Sequence, residues 1–459
     1  MNADYDIRTL RISVLGAARS GIAAALLAAD RGARVFVSEA GGRERFSEQS
    51  VLLAGHGVPC EFGGHSDRVY DADILVVSPG IPLESPVIVA AQARGMQVIG
   101  ELEFGARFCA MPIVAITGTN GKTTTTMITG AIYRAAGREP LVAGNIGTAL
   151  CDAVRTASPH AGAAILEVSS FQLDLSTRFH PSIAIITTIT PDHLDRYHGA
   201  FDEYITAKQR VFMNQGETDA LIYNLDSLDS VRSILPARSR RFPVSVTSIP
   251  AHGGWMEGRR LLVDVGSGRE IVASLDELQL RGRHNYMNIL MAALAARLDG
   301  IPMPVVHAAV CAFEGVEHRL EVVRRIGQVT WINDSKATNV DSLITALQSF
   351  TQPVVLIAGG RDKGSPYDPV LELVREKVRA AVLIGEAAER IAAAFDDVTV
   401  TVRAASMPDA VSRANELAEQ GDIVLLSPAC ASFDMFENFE HRGIVFKKLV
   451  HALPAESQG

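Results

Sequence analysis

At 459 residues the chain exceeds what one hydrophobic core organises, and the usual domain size points to about three domains. With 47% hydrophobic and 21% charged residues it has the composition of an ordered globular protein, not of a disordered chain. A net charge of -9 argues against nonspecific binding to DNA or RNA, which needs a basic surface to displace counterions, but leaves room for anionic ligands held locally.

Cys60, Cys109, Cys151, Cys311 and Cys430 are widely spaced, with no C-x-x-C pair, and read as reduced thiols of a cytosolic protein. The first stretch, "MNADYDIRTLRISVLG", carries acids where a secretory signal needs a basic region. No apolar run approaches the ~18 residues of a membrane span, so the expected location is the cytoplasm.

In chain order, "RISVLG" from residue 11 reads as a strand, Ser20 to Arg31 as a helix, and "ARVFVSE" as a strand ending at Glu39. "DADILVVSPGIP" and "MQVIGELEF" continue the alternation, so residues 1–111 are expected to form a small parallel-sheet domain. Pro112 opens a second unit. There "PIVAIT" is a strand, "GTNGKT" a loop and Thr123 to Ala136 a helix. Strands follow at "AAILEVSS", "SIAIITTIT" and "DALIYN", with a helix from Phe201 to about Met213. The Gly-rich stretch from about 226 to 280 suggests short strands and turns. "NYMNILMAALAARLDG" is a helix ending at a glycine with Pro302 beyond it. A third alternation, "VTWINDS", "PVVLIAGG", "RAAVLIG", "DVTVTV" and "DIVLLSP", again reads as a parallel sheet with helices outside.

A strand ending in "GTNGKT" and opening a helix suits phosphate, because the glycines turn backbone N–H groups toward anionic oxygens at a helix N-terminus. Ile116 stands where the longer G-x-x-x-x-G-K-[ST] pattern has its first glycine, so the loop is a short variant. Lys122 is placed to neutralise phosphate charge and Thr123 to bind magnesium, which points to ATP. Glu167 ends the run "AAILE" and should emerge near the phosphates as a magnesium ligand; without the loop it reads as a surface charge. Asp192, His193, Asp195 and His198 have the composition of a metal cluster and equally of a polar turn. Spacing alone gives Lys208 no role.

"GTNGKTTT", "GNIG", "LEVSSFQLD", "TPDHLDRY", "AKQRVF", "GRHNYMN", "EHRLE", "INDSKATN", "GGRDKG" and "LSPACASFDMFENFEHRG", in this order from about residue 110 to 445, together resemble the Mur ligases. The resemblance implies an α/β chain of three domains. Residues 1–111 would be a Rossmann-like domain for a UDP-linked substrate, and 112–316 a central P-loop-type mononucleotide-binding domain. Residues 317–459 would be a Rossmann-like C-terminal domain that closes over ATP and binds an incoming amino acid. It further implies cytoplasmic synthesis of peptidoglycan precursors by a monomer. The reaction that the resemblance implies is one in which ATP phosphorylates the carboxylate of UDP-N-acetylmuramoyl-L-alanine and the amine of D-glutamate then displaces phosphate.

By the same resemblance, Gly118, Thr119, Asn120, Gly121, Lys122, Thr123 and Thr124 hold the ATP phosphates, Asn285 and Asn288 the adenine, and Arg319 and Asp334 the ribose and phosphate region. Two magnesium ions are implied, with Thr123, Glu167, His193 and a carbamylated Lys208 as ligands. Asn145 is matched to a contact with the muramoyl part. Lys336, Thr338, Lys363, Ser432, Phe433 and Phe439 are matched to the incoming amino acid. In the first domain "GAARSG" keeps Gly16 and Gly21 but has Ala18 between them, which disfavours a nicotinamide dinucleotide. Arg19, Ser20 and Ser38 are the expected contacts to the UDP end. The alternatives are an amide ligase of the same superfamily with another amino acid or a folate substrate, a nicotinamide oxidoreductase, and a nonenzymatic ATP switch.

Overall fold

The computed structural model describes residues 5–158, 160–362, 364 and 366–454, without the side chain of Asp195. The chain divides into two compact units, Met1–Phe313 and Glu314–Gly459.

The first unit holds two sheets. Strands β1 (Arg11–Leu15), β2 (Arg34–Glu39), β3 (Cys60–Phe62), β4 (Ile74–Val77) and β5 (Gln97–Gly100) pair in the order β3-β2-β1-β4-β5, all parallel. This is the Rossmann-like order, and runs such as Ile74–Val77 are apolar on both faces because helices cover both. The second sheet contains β6 (Ile113–Thr117), β7 (Pro140–Gly144), β8 (Ala163–Glu167), β9 (Ile183–Ile186), β10 (Ala220–Asn224), β11 (Arg240–Ser245), β12 (Gly253–Glu257), β13 (Arg260–Asp264) and β14 (Glu270–Ser274). Their order is β14-β13-β12-β11-β10-β9-β6-β8-β7. The sheet is parallel from β7 to β12 and ends in an antiparallel meander through β13 and β14. Helices Lys122–Ala135 and Arg283–Leu298 cover one face; the buried alanines 292, 293, 295 and 296 let them pack closely. On the other face a continuous core runs from the first sheet through helices Arg19–Asp30, Glu101–Ala106 and Leu150–Thr156 into the second.

The second unit is a six-stranded sheet of β15 (Glu321–Ile326), β16 (Val329–Asn333), β17 (Val354–Gly359), β18 (Val378–Ile384), β19 (Val400–Arg403) and β20 (Ile423–Leu426), ordered β15-β16-β20-β17-β18-β19. It departs from the expected all-parallel sheet at β15, which pairs antiparallel with β16. The reason is local: Gly327 and Gln328 alone connect them, and so short a link joins only antiparallel strands. The helix expected to reach Met213 is Phe201–Gln209; beyond it Val211 and Phe212 donate to the carbonyls of Lys208 and Gln209, a tightening of the last turn. Strands β3 and β7 escaped the sequence reading because they are short and only partly buried.

Candidate functional site

β6 lies between β9 and β8, so the chain moves to one side of β6 through β7 and β8 and to the other through β9. The crevice at the carboxyl ends beside β6 is therefore where ligands of such sheets bind. The loop after β6 is shaped by two glycines. Gly118 has φ 145°, and a Cβ there would lie 2.0 Å from Thr187 Oγ1. Gly121 has φ 87°, and its Cβ would lie 2.6 Å from Asn288 Oδ1. Thr188 fixes the loop from β9's end: its carbonyl accepts from Thr119 N at 2.7 Å and its hydroxyl from Asn120 N at 3.0 Å. Thr187 and Thr188 were not singled out in the sequence; the only signal was the polar run "TTIT" after an apolar strand.

Lys122 Nζ donates to the carbonyls of Gly118 at 2.9 Å and Thr119 at 2.7 Å. Lys208 Nζ donates to the same Gly118 carbonyl at 2.8 Å, although it comes from helix Phe201–Gln209. Lys208 is only 1% exposed, its nitrogen 4.5 Å from the Tyr204 ring centre. Burial, and then the charge of Lys122, hold its amine well below the usual lysine range.

Across the crevice Glu167 ends β8 and is 1% exposed. Its Oε2 accepts from Thr123 Oγ1 at 2.6 Å and its Oε1 from Asn145 Nδ2 at 2.8 Å. Gly144 permits this approach, since a Cβ there would lie 2.3 Å from the Glu167 carbonyl oxygen. A hydroxyl and a carboxylate, hard oxygen donors at the opening of a helix, are donors that Mg2+ takes. His193 has φ 53°, packs edge-on against Phe171 and lies 3.7 Å from Asp192 Oδ2. His198 turns instead to Glu203 and Glu84. Among the described residues, the Asp192–His198 run does not gather into a cluster of metal-ligating atoms.

Asn285 and Asn288, three residues apart and so on one face, are both buried near the start of helix Arg283–Leu298. Asn285 Nδ2 donates to the Arg281 carbonyl at 2.8 Å, while Asn288 accepts from Thr125 Oγ1 at 3.3 Å and has a buried Nδ2 with no hydrogen-bond partner among the described residues. Thr124 is buried on the loop's helix.

In the first sheet a cleft of about 950 Å³ is lined by Gly16, Arg19, Ser20, Glu39, His65 and Ser78, among others. Arg19 also donates to the Gly147 carbonyl at 2.8 Å, linking this cleft to the "GNIG" loop that carries Asn145. Ser38 does not line the cleft: it is fully buried, with its hydroxyl on Glu61 Oε1 at 2.6 Å and beside His65 Nδ1 at 2.7 Å. Glu39 accepts from Ala17 N at 2.7 Å, so one donor of the glycine turn is already taken.

In the second unit Asp334 is buried at the end of β16, accepting from Ser427 Oγ at 2.9 Å and Leu320 N at 3.2 Å. Burial, opposed by Arg319, pushes its carboxyl up to about 7. Lys336 Nζ lies 4.6 Å from the Phe439 ring centre, Thr338 is half-buried, Ser432 is buried, and Phe433 is 62% exposed. Lys363 lies outside the described residues. Arg442, quoted in the sequence only as part of "FEHRG", is buried and knots these loops: it donates to Ser335 Oγ at 3.0 Å, Ser335 O at 2.8 Å and Cys430 O at 3.2 Å. An arginine just before the apolar run "GIVF" in the first turn of a helix was the available signal.

A parallel sheet with a lysine-bearing glycine loop at its switch point, faced by a buried carboxylate, defines a P-loop-type nucleotide-using protein. Models of the MurD-like N-terminal domain of Mur ligases, the Mur ligase middle domain and the Mur ligase glutamate ligase domain match residues 10–100, 116–296 and 318–430. The chain belongs to the Mur ligase family. It is 45% identical to the UDP-N-acetylmuramoylalanine–D-glutamate ligase of Salinibacter ruber, over 98% of this chain and 99% of that one. It is 44% identical to the protein of the same name from Chloroherpeton thalassium, over 97% and 98%. The fold is similar to that of the UDP-N-acetylmuramate–alanine ligase from Thermotoga maritima, with TM-score 0.60 at 18% identity over 96% of this chain and 99% of that one. A pseudomurein peptide ligase type C from Methanothermus fervidus gives 0.60 at 17%, over 96% and 99%. Among the described residues, no helix is long and apolar enough to cross a membrane.

Proposed function

We propose that the chain is an ATP-dependent carboxylate–amine ligase that adds D-glutamate to UDP-N-acetylmuramoyl-L-alanine in peptidoglycan precursor synthesis, releasing ADP and phosphate. Near-full-length relatedness to ligases of that name supports the substrates. The observation that carries the chemistry is the convergence of Lys122 and the buried Lys208 on the Gly118 carbonyl, opposite the Thr123–Glu167 pair.

A carboxylate is a poor electrophile until it becomes an acyl phosphate, so the site must first bring two anions together. Lys122 leaves the loop carbonyls to meet the nucleotide's phosphates, and the N–H groups opening helix Lys122–Ala135 add positive potential. Magnesium, when bound, neutralises phosphate charge and polarises the transferring group. Thr123 and Glu167 would hold one ion; His193 and Lys208 would serve a second. The lowered amine favours the neutral form that reacts with carbon dioxide, and the carbamate so formed, its proton released to solvent, would make Lys208 an anionic oxygen donor. Asn145, already hydrogen-bonded to Glu167, would orient the muramoyl part, and Asn285 with Asn288 the adenine.

On this reading Arg19 and Ser20 serve the UDP end within residues 1–111, residues 112–316 perform the phosphoryl transfer, and residues 317–459 receive the amino acid. Lys336, Thr338, Lys363, Ser432, Phe433 and Phe439 are its contacts, and Arg319 and Asp334 serve the nucleotide. Ser38 would act through His65, which lines the cleft. On the same reading the enzyme would work in the cytoplasm as a monomer.

The test is phosphate release from ATP and magnesium with UDP-N-acetylmuramoyl-L-alanine and a panel of amino acids that includes both glutamate enantiomers. Release is expected only with all substrates present and with D-glutamate preferred. Turnover with aspartate, lysine or diaminopimelate but not D-glutamate would overturn the assignment.

A further inference from the structure

At the β14 edge of the central sheet, remote from β6, three metal-ligating side chains meet that the ligase chemistry does not use. His307 and Cys311 are four residues apart on helix Met303–Cys311 and therefore on one face. Glu277 comes from the turn after β14. Glu277 Oε1 lies 3.7 Å from His307 Nε2, Cys311 Sγ lies 3.9 Å from the same nitrogen, and the three ligand atoms lie within 4.8 Å of one another.

We propose that Glu277, His307 and Cys311 form a binding site for one thiophilic divalent cation of the zinc type, completed by water. Tetrahedral zinc with bonds of about 2.0–2.3 Å separates neighbouring N, O and S ligands by roughly 3.3–3.6 Å, so the two pairs that involve His307 close by only a few tenths of an ångström and the third, within 4.8 Å, by at most about 1.3 Å. His307 and Glu277 are already held by the backbone of this edge. His307 Nδ1 faces the Val272 carbonyl at 2.9 Å, and since a carbonyl only accepts, the proton sits on Nδ1 and Nε2 presents its lone pair. Glu277 Oε2 accepts from Ser274 N at 2.7 Å, which leaves Oε1 toward the triad. An N, S and O donor set selects zinc-like ions over magnesium. On binding, the Cys311 thiol gives its proton to solvent as the sulfur–metal bond forms.

The other metal-sized group, Glu317, His318 and Glu321, differs in that its charge is already answered. Lys447 binds both carboxylates, and Glu321 Oε2 also accepts from His318 N and Asn333 Nδ2. No cation of the protein is seen on the Glu277 triad among the described residues.

The test is a titration of the full-length protein with Co2+, read by the thiolate-to-cobalt charge-transfer absorption. The expected result is a band saturating at one ion per chain, displaced by Zn2+ and unaffected by excess Mg2+. Cys311→Ser should abolish it, and Glu277→Gln and His307→Gln should weaken binding at least ~10-fold. Cys60→Ser, which changes the other partly exposed thiol, should leave it intact. Ligase activity in each variant reports folding; if Cys311→Ser does not fold, the Glu277 and His307 variants decide. No band, or a band that survives these changes, overturns the site.

Discussion

Two glycine-rich strand–turn–helix units lie in the first unit of this chain, and each is faced by a glutamate ending the neighbouring strand. After β1, Glu39 accepts directly from the turn's Ala17 N–H. After β6, Glu167 instead accepts from side chains, Thr123 and Asn145, while two lysine nitrogens gather on the Gly118 carbonyl. The backbone solution is shared, but the first turn holds a carboxylate and the second holds amines. How much negative charge each turn can meet is thus set by the side chains around its glycines, Arg19 at the first and Lys122 with Lys208 at the second. Only the second turn is equipped for the dense negative charge of a triphosphate.

The largest expected effect of breaking this contrast is at Lys122. Lys122→Ala should lower substrate-dependent phosphate release by on the order of 10³-fold, because no other mobile cation of the loop meets the developing charge. A loss below tenfold would mean that the phosphates lie elsewhere. Lys208→Ala should cost about 10²-fold, with partial recovery when short carboxylates are supplied, since an exogenous anion can replace a carbamate. Full activity without rescue would remove Lys208 from the site.

The glycines sharpen the same comparison. At Gly118 an added Cβ meets Thr187 Oγ1 at 2.0 Å and the Thr188 backbone nitrogen at 3.0 Å, with φ 145°, so Gly118→Ala has no nearby relief. At Gly16 the nearest atom is Ser78 Oγ at 2.8 Å, the end of a side chain that has other rotamers. Gly118→Ala should therefore raise the KM for ATP by about tenfold or more. Gly16→Ala should raise the KM for the UDP-linked substrate only several-fold, through the φ 96° strain. Equal effects on ATP would show that the two turns are not functionally separate.

Much of this was legible in sequence where chemistry and local geometry coincide. The loop from Gly118 to Thr123 lies at a strand end because an apolar run of five residues precedes it, and Glu167 follows the same logic. The antiparallel β15 was not read, because alternation in "EVVRRI" is weak and the pairing depends on the Gly327–Gln328 turn. Ser38 shows the limit at a site. Its place at a strand end suggests an exposed hydroxyl, yet Glu61 from β3 and His65 beyond it enclose that hydroxyl, and neither is a sequence neighbour. Arg442 was hidden for a similar reason: its partners, Ser335 and Cys430, come from the ends of two other strands. Lys208 was recognisable only by family resemblance, since its role depends on a burial that spacing does not reveal.

The smallest expected effect concerns buried charge in each unit. Burial and Lys122 push the Lys208 amine down; burial pushes the Asp334 carboxyl up to about 7, against the pull of Arg319, Ser427, the Leu320 N–H and Arg442. The two have opposite consequences for stability. For Lys208 the unfolded chain binds more protons than the native one between the lowered native value and about 10.4, so its contribution improves as pH rises through that window. For Asp334 the native state holds a proton from about 3.9, where an unfolded aspartate titrates, up to about 7, so stability falls as pH rises through that interval. Asp334→Asn removes this second dependence while keeping the side chain's shape. The difference in Tm between wild type and Asp334→Asn, measured without nucleotide, should shift by a few degrees in favour of the variant between pH 5.5 and 7.5, values chosen as roughly bracketing the upper part of that interval. Parallel Tm curves would show that Asp334 is already ionised, with Arg319 outweighing its burial.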